Sequence, residues 1–526
     1  MKNKRIFINL LFIASLILLS FIYDYHGILF HRPYSNHTWR QADCLSITMN
    51  YYKENLNFFT PEVHWIGDKG NGKTISEFPI IYFTVAQLWK VFGQSEFLFR
   101  LINILIVFSG LFSLYKLSGR ILKDTFWSFY IPLFLFTSPL LIFYTNNFLS
   151  NAPALGLALT GAYLYYLYHE NQEKKWLILS MIIFTLAGLL KITSLIIFIA
   201  ILTIILFDWI ISKIHNKQNK KYLLSKVIPF LCVLFSIAIW YTYARYYNSQ
   251  NHRNLFLQDI FPIWELSPEK RTEIANSLYW NLIPSYFNKE SLLGIATIFI
   301  LLIVFYKKVN KIYLSILGIS FIGIVLYSLL WFKAFDVHDY YLTNLLIFIP
   351  LTLITFLSFL KDNSFKVFKS VLVKGLFLII LLFLILQGGL KNRLKYNSKK
   401  YFKNTSIFIK ESERNYWEYI HWNYANNFEA FETITPYLRS LGIERTDKVI
   451  CMSDASINIS LYLMDQKGLT KYGYAIFSDK ERIEFAIKQE CSYLIITDED
   501  LGNSSSYSIY LTNKVGKYKN INIYKL

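Results

Sequence analysis

The chain has 526 residues, of which 54% are hydrophobic, 18% aromatic and only 17% charged. A soluble globular chain carries about 25% charged residues, so this shortage, with many long apolar runs, excludes an ordinary soluble enzyme and implies an integral membrane protein. The formal net charge of +19 would suggest nucleic acid in a soluble protein. Here it is first a question of which loops hold the Lys and Arg, and no nucleic-acid partner is expected.

In chain order, the basic start MKNKR leads into an apolar run to about Tyr23 with no small-residue cleavage site beside it, which reads as a retained first span at about 6–23. Further runs near spanning length lie at about 97–115, 126–144, 152–168, 176–190, 192–212, 225–243, 291–306, 312–332, 342–360 and 371–388, about eleven in all. With the N-terminus cytoplasmic, the inner connections include KLSGRILKD, SKIHNKQNKK, KKVNK and KDNSFKVFK, all strongly basic. The segments 24–96 and 244–290 are nearly balanced in sign. This asymmetry predicts a multi-pass protein of the cytoplasmic (inner) membrane, with 24–96 as the first external loop.

The expected domains are a transmembrane domain at 1–390 and an external domain at 391–526. In the latter, TDKVICMSD, SYLIITDED and NINIYKL read as strands and SINISLYLM and DKERIEFAIKQE as helices. The expected fold class is therefore mainly α and polytopic, with a small external C-terminal α/β domain. The four cysteines form no CxxC pair; Cys451 and Cys491 both fall in the external domain, and spacing leaves a disulfide between them open.

Gly67 to Thr74, GDKGNGKT, fits the phosphate-cradling pattern G-x-x-x-x-G-K-[ST]. That motif needs a strand before it and a helix after it. Pro79 opposes a helix starting at Thr74, and the flanks VHWI and KTIS suit the arms of a hairpin with a Gly-rich turn. No nucleotide is expected at this segment.

The topology gathers polar residues from distant stretches at one membrane surface. These are Arg40, Asp43 and Glu77 in the first external loop, Asn151 after the third span, Lys191 between the fifth and sixth spans, Arg245 at the next external loop, and His338, Tyr340 and Tyr341 at the tenth span. Acids, a few cations and aromatics together suit chemistry on a lipid-linked phosphate: cations hold the phosphate, an acid activates a hydroxyl and aromatics hold a sugar.

At these residues the chain resembles a family. NHTWRQADCLSITMNYY, EFPIIYFTVAQLWKVFG and RLINIL, followed in order by NNFLSNAPALGLAL, GLLKIT, WYTYARYYN and HDYY, resemble the GT-C membrane glycosyltransferases. The branch is the one that includes protein O-mannosyltransferases and the aminoarabinose transferase acting on lipid A. The resemblance covers roughly residues 1–390. It implies a polyprenyl-phosphate-linked sugar donor, transfer on the outer face of the membrane, and a glycan, lipid or protein acceptor.

It also implies that Asp43 is the general base and that Glu77 lies by the donor phosphate, although Phe78 stands where some relatives carry a lysine. If ADCLSITMNYY is a helix, Asp43 falls in its first turn, where the positive helix end favours the ionised carboxylate. Lys191 interrupts two apolar runs and would need a partner such as a phosphate, or would snorkel. Arg40 and Arg245 could each bind the phosphate, or be ordinary interfacial arginines. His338, Tyr340 and Tyr341 can donate to a phosphate or sugar, or belong to an aromatic belt. Asn151 stands where relatives often have Asp and can bind or cap but cannot act as a base.

The histidines have no metal-ligand spacing. A divalent metal could be held through Asp43 and Glu77, and no other cofactor is implied. A transporter or flippase of a lipid-linked saccharide is the alternative class. It predicts polar residues at mid-membrane and inverted repeats, neither of which is visible.

Overall fold

The structure is a computed structural model and describes residues 2–214, 223–251, 255–256, 260–397, 408–473, 477–502 and 505–526. The apolar runs fold as helices, because in hydrocarbon each backbone N–H and C=O must be satisfied within its own segment. Seven described helical stretches are long and apolar enough to span: Asn3–Ile22, Glu96–Leu122, Ile192–Ile211, Ser225–Gln250, Lys311–Leu330, Asp339–Asn363 and Val371–Tyr396. Two bent pairs raise the number to nine if each crosses as one span. They are Thr125–Leu135 with Pro139–Thr145, bent by 77°, and Pro268–Tyr286 with Lys289–Val304, bent by 94°. The count of about eleven differs because Asn151–Asn171 and Lys174–Leu190, although helical, are not among these seven. The protein is a multi-pass membrane protein.

Polar residues mark where the helices start. Asp124 accepts the Trp127 N–H at 3.2 Å, and Asn310 accepts those of Ile312 and Tyr313 at 3.0 and 3.3 Å. Both satisfy helix-start donors that would otherwise be orphaned.

The chain forms two compact units. The first comprises Met1–Gly27, Arg100–Thr242 and Asp259–Asn392. Its helices Glu96–Leu122 and Asn151–Asn171 approach so closely at Gly110 that a Cβ there would lie 2.4 Å from Gly156 Cα. Small residues of this kind let membrane helices pack backbone to backbone. Helix Lys174–Leu190 packs on Asn151–Asn171, with Ser180 Oγ donating to Gly161 O at 2.8 Å. Helices Lys2–Ile22 and Val371–Tyr396 leave large apolar side chains such as Phe7, Leu10, Leu372 and Ile379 exposed, as a lipid-facing surface requires.

The second unit comprises Ile28–Phe99, Tyr243–Gln258 and Arg393–Leu526. Its five strands are β1 Lys448–Cys451, β2 Gly468–Thr470, β3 Cys491–Thr497, β4 Lys514–Tyr518 and β5 Ile521–Lys525, in spatial order β2-β1-β3-β5-β4. β1 pairs in parallel with β2 and β3, and the β3–β5 and β5–β4 pairs are antiparallel. Strands β1, β3 and β5 and helices Ile459–Leu463 and Asp479–Lys488 match the sequence expectation, while β2 is only three residues long and β4, KVGKY, lacks a clear apolar alternation.

The stretch Gly67 to Thr74 is the bend of a hairpin. Val63 N–H donates to Gly72 O at 2.8 Å, Glu62 bridges Lys73 in antiparallel fashion, and the following helix begins only at Ile80. A Cβ at Gly72 would lie 2.0 Å from Val63 O, so this close approach requires glycine. The incoming arm joins the sheet edge, with Trp65 bridging Gly468 in parallel. The disulfide left open by spacing is not formed. Cys451 and Cys491 are free, buried thiols. Cys491 sits opposite Lys448, three residues from Cys451 along β1, and at about 3.3 Å per residue that offset is too long for a disulfide.

Candidate active site

In the second unit, three predicted residues meet around helix Thr38–Glu54. Arg40 and Asp43 lie on that helix, and Glu77 lies just before helix Ile80–Phe92. Arg40 Nη2 donates to Glu77 Oε2 at 2.5 Å, and Arg40 Nη1 is 3.7 Å from Asp43 Oδ2. The guanidinium thus stands between two buried carboxylates, with Asp43 and Glu77 only 3% and 5% exposed. It also lies over the Phe256 ring, 4.9 Å from the centroid.

Three further groups complete the cluster. Tyr82 Oη donates to Glu77 Oε1 at 2.6 Å and lies 3.4 Å from Cys44 Sγ. Asn458 Nδ2 donates to Asp43 Oδ1 at 2.8 Å. Tyr472 lies close enough to feel the Asp43 charge.

The helix starts at Thr38, which makes Asp43 its sixth residue and places it outside the first turn. The expected help from the helix end therefore does not apply, since that field fades within one turn. Burial is the largest influence and pushes the Asp43 carboxyl up to about 6, while Arg40 and the Asn458 hydrogen bond oppose the rise and Glu77 adds to it. Such a carboxyl is ionised at neutral pH yet basic enough to take a proton. Burial likewise pushes the Cys44 thiol up to about 12, which keeps it an inert neighbour.

Asp43 uses Oδ1 for Asn458, and among the described residues Oδ2 accepts no hydrogen bond. Arg40 Nη1 is a buried donor with no hydrogen-bond partner there. The base oxygen and this cationic donor therefore face each other at 3.7 Å, an ion pair without a hydrogen bond. Among the described residues no three His, Cys, Asp or Glu side chains cluster as metal ligands would, and Asp43 and Glu77 both face the Arg40 charge.

Arg245 is exposed on helix Ile228–Gln250. Three residues on, Asn248 grips the backbone leading to Glu77, accepting from Ile75 N–H at 2.7 Å and donating to Ile75 O at 2.8 Å.

In the first unit, the other candidates converge around the 3₁₀ segment Asp339–Ile347. Asn151, at the start of helix Asn151–Asn171, donates to Tyr340 O at 3.0 Å. The His338 and Tyr340 rings stack at 5.3 Å, and Tyr340 and Tyr341 lie 4.7 Å apart. Tyr144 Oη donates to the buried Asp339 carboxylate. Lys191 closes helix Lys174–Leu190, where its N–H still reaches Ala187 O at 2.9 Å. The 3₁₀ turn that follows packs on Asp339–Ile347, with Asn344 donating to Thr193 Oγ1 at 3.0 Å. Lys191 therefore belongs to the same end of this unit as Asn151 and His338.

Sequence reading missed Tyr82, Asn458, Tyr472 and Asp339 as members of these clusters. Tyr82 sits inside the EFPIIY run and Asp339 inside HDYY, so both had a signal. Asn458, 415 residues from Asp43, had none.

Residues 76–240 match the family of dolichyl-phosphate-mannose-protein mannosyltransferases. No curated protein is significantly similar to the chain in sequence. Among solved structures, the fold is similar to that of ArnT from Cupriavidus metallidurans bound to undecaprenyl phosphate, at 9% identity and a TM-score of 0.57 over 98% of this chain and 97% of that one. It is also similar to the oligosaccharyltransferase of Archaeoglobus fulgidus in complex with Zn and sulfate, at 11% identity and a TM-score of 0.53 over 92% and 68%. The archaeal oligosaccharyltransferase AglB from Archaeoglobus fulgidus, in complex with an inhibitory peptide and a dolichol-phosphate, gives 10% identity and a TM-score of 0.50 over 93% and 70%.

Proposed function

From the GT-C membrane glycosyltransferase fold that the chain carries, we propose that it moves a sugar from a polyprenyl phosphate to an acceptor hydroxyl on the outer face of the cytoplasmic membrane. The observation that carries this reading is the buried Asp43–Arg40–Glu77 cluster, with Asp43 Oδ2 facing Arg40 Nη1 at 3.7 Å without accepting a hydrogen bond and its carboxyl raised to about 6. In the reaction, Asp43 Oδ2 takes the acceptor O–H proton as that oxygen attacks the anomeric carbon. The bond from that carbon to the phosphate oxygen breaks, and its electron pair leaves with the polyprenyl phosphate. A single displacement inverts the anomeric centre.

Arg40 is the cation of the cluster. It holds Glu77 through one nitrogen and presents Nη1 toward developing negative charge. Lys191 is proposed as a ligand of the donor phosphate. His338, Tyr340, Tyr341 and Asn151 are proposed to shape the donor or acceptor site on their own unit, and Arg245 to contact charged headgroups.

The test offers a panel of labelled polyprenyl-phosphate sugars to the purified protein and compares it with Asp43→Asn. Transfer, or release of polyprenyl phosphate, is expected from at least one donor. The variant should fall by about 10²–10⁴-fold while still inserting and folding. A native protein inert to the whole panel, or a variant with the full rate, overturns the reading.

A further inference from the structure

Helix Ile459–Leu463 begins after Asn458, where an Asn side chain would ordinarily cap the helix. Here it does not. Asp454 and Ser456 take that role, accepting the N–H groups of Ser460 at 2.8 Å and Ile459 at 3.0 Å. The Asn458 amide is fully buried and directed elsewhere. Its Oδ1 accepts from Trp65 N–H at 3.0 Å and from Ser46 Oγ at 3.3 Å, so its NH₂ faces Asp43 Oδ1. Ser46 Oγ is itself fixed by His64, 2.8 Å from Nδ1 and accepting the His64 N–H at 2.8 Å.

We propose that Asn458 is a positioning residue of the transfer reaction, through which the C-terminal sheet region locks Asp43 Oδ1 and leaves Oδ2 as the oxygen that receives the proton. The proposal rests on Asp43 being the base. A hydrogen bond to the charged form of a carboxylate holds its pKa down, so Asn458 also keeps Asp43 ionised against its burial. The other groups facing Asp43 are Arg40 and Cys44 on its own helix, Glu77 and Tyr472, with Tyr82 against Cys44 and Glu77. None of these donates a hydrogen bond to Oδ1 among the described residues.

The test uses Asn458→Ala and the near-isosteric Asn458→Leu, both of which remove the donor without adding a charge beside Asp43. With a donor from the panel, the acid limb of the rate profile should move up by about one pH unit or more in both variants, and the rate at pH 6 should fall about tenfold. The Michaelis constant for the donor should change little. A merely structural role would lower the rate equally at every pH.

A second measurement separates this idea from the function itself. The Asp43 titration is read from thermal stability against pH, as native minus Asp43→Asn and Asn458→Leu minus the corresponding double variant. An upward displacement of that titration in Asn458→Leu supports the proposal even if no donor in the panel is used. An unmoved titration and an unmoved acid limb overturn it. If Asn458→Ala does not fold, Asn458→Leu carries the test.

A different observation, in the first unit, supports a separate site. Where helix Glu96–Leu122 ends, a cleft of about 370 Å³ is lined by Lys4, Arg5, Lys116, Lys123, Tyr115 and Asp124, among others. Asp124 is its acid, and it is already engaged by Lys369 at 2.9 Å and Lys374 at 2.8 Å. Lys116 Nζ meets a neutral group, Asn9 Oδ1, at 3.2 Å. The cleft is therefore strongly cationic, with Lys4, Arg5 and Lys123 exposed and Lys116 half-buried. The same helix that supplies Lys4 and Arg5 continues with exposed Ile6, Phe7, Leu10 and Leu11.

We infer that this cleft binds the phosphate of an anionic phospholipid, whose acyl chains lie along that exposed apolar side. Phosphate chemistry alone would also admit the free anion, so the experiment has two arms. Native mass spectrometry of the full chain after exchange against phosphatidylglycerol or phosphatidylcholine should show several-fold preferential retention of the former. Arg5→Gln with Lys116→Gln should lose the preference, and Arg5→Lys with Lys116→Arg should keep it. Equal retention of the two lipids, or a Gln variant that keeps the preference, overturns the site. A thermal shift with millimolar inorganic phosphate but none with phosphatidylglycerol overturns its lipid occupant.

Discussion

Asp43 shows how burial and charge set one residue's chemistry. A carboxyl near 3.8 would be a weak base, and one raised far above neutral pH would be protonated and useless. Burial raises it, and Arg40 with Asn458 limits the rise to about 6. Two outcomes follow at this scale. The transfer rate should climb with pH through about 6 and level off above it, and Asp43→Glu should displace that limb because the longer side chain cannot keep both Arg40 and Asn458 in place. A rate independent of pH between 5 and 7.5 would count against Asp43 as base.

Stability carries the opposite sign. With the folded pKa above the unfolded one, the native state binds more protons between about 4 and 6, so stability is full below that window and lost as pH rises through 6. Asp43→Asn should flatten this slope. The variant should gain thermal stability at pH 7 relative to native, by order 3 kcal/mol at most, since Arg40 then loses part of its counter-charge. Thermal midpoints at pH 4.5 and 7 for both proteins measure it.

At the scale of elements, legibility followed the range of the forces involved. Apolar runs became helices because that information is local, and the split at Lys191 between two helices was visible as a charged residue between two apolar stretches. The hairpin at Gly67–Thr74 was also local, written in its glycines and in Pro79. The start of helix Thr38–Glu54 was not. Its flanking His37 has a positive φ of 52° and makes no side-chain cap bond, so no capping residue announced it. Arg40 meeting Glu77 across 37 residues needed the loop to fold back first. Asn458 depended on a sheet assembling from parts that no local pattern connects. The glycine crossing was equally silent, since a Gly in an apolar helix looks the same whether or not a second helix approaches it. Gly110→Ala tests that crossing. The added methyl meets Gly156 backbone at 2.4 Å, so the helices must part, at a cost of about 1–3 kcal/mol. A lowered thermal midpoint is expected, and an unchanged one would count against close backbone packing at this crossing. Asn248→Ala should act differently, releasing Thr74–Ile75 and hence Glu77, and lowering transfer more than stability.

At the scale of the whole molecule, the second unit is assembled from three stretches far apart in sequence, so the first loop and the C-terminal sheet must fold as one body. Arg445 shows what binds them. Its Nη1 pairs with Glu54 Oε1, its Nε donates to Asp465 Oδ1 at 2.8 Å and its Nη2 to Asn50 Oδ1 at 2.6 Å. Glu54 and Asn50 lie on helix Thr38–Glu54, the helix that carries Asp43, whereas Asp465 lies between helix Ile459–Leu463 and β2. Lys467 adds bonds to Glu54 and Glu62 at 2.8 and 3.1 Å. His64, pushed down to about 4 chiefly by burial, is neutral at physiological pH and supplies no cation in Arg445's place.

Removing one partner from a partly buried charge network leaves the others uncompensated, a loss of about 3–5 kcal/mol when fully buried and less here, where Arg445 is 19% exposed. Arg445→Ala should therefore loosen the sheet from the helix before the molecule unfolds. Amide exchange in β1 and β2 should quicken, and transfer should fall with it, because Asn458 then no longer holds Asp43. Arg445→Lys should not rescue either effect, since one ammonium on a flexible stem cannot bond three acceptors in the plane of a guanidinium fork. Glu54→Gln should be milder, because it keeps the shape and removes only one charge. If Arg445→Ala exchanges β1 and β2 at the native rate and still transfers, the network decorates the junction rather than holding it, and the helix and sheet are joined by their remaining contacts, such as Asn458 with Asp43 and Ser46.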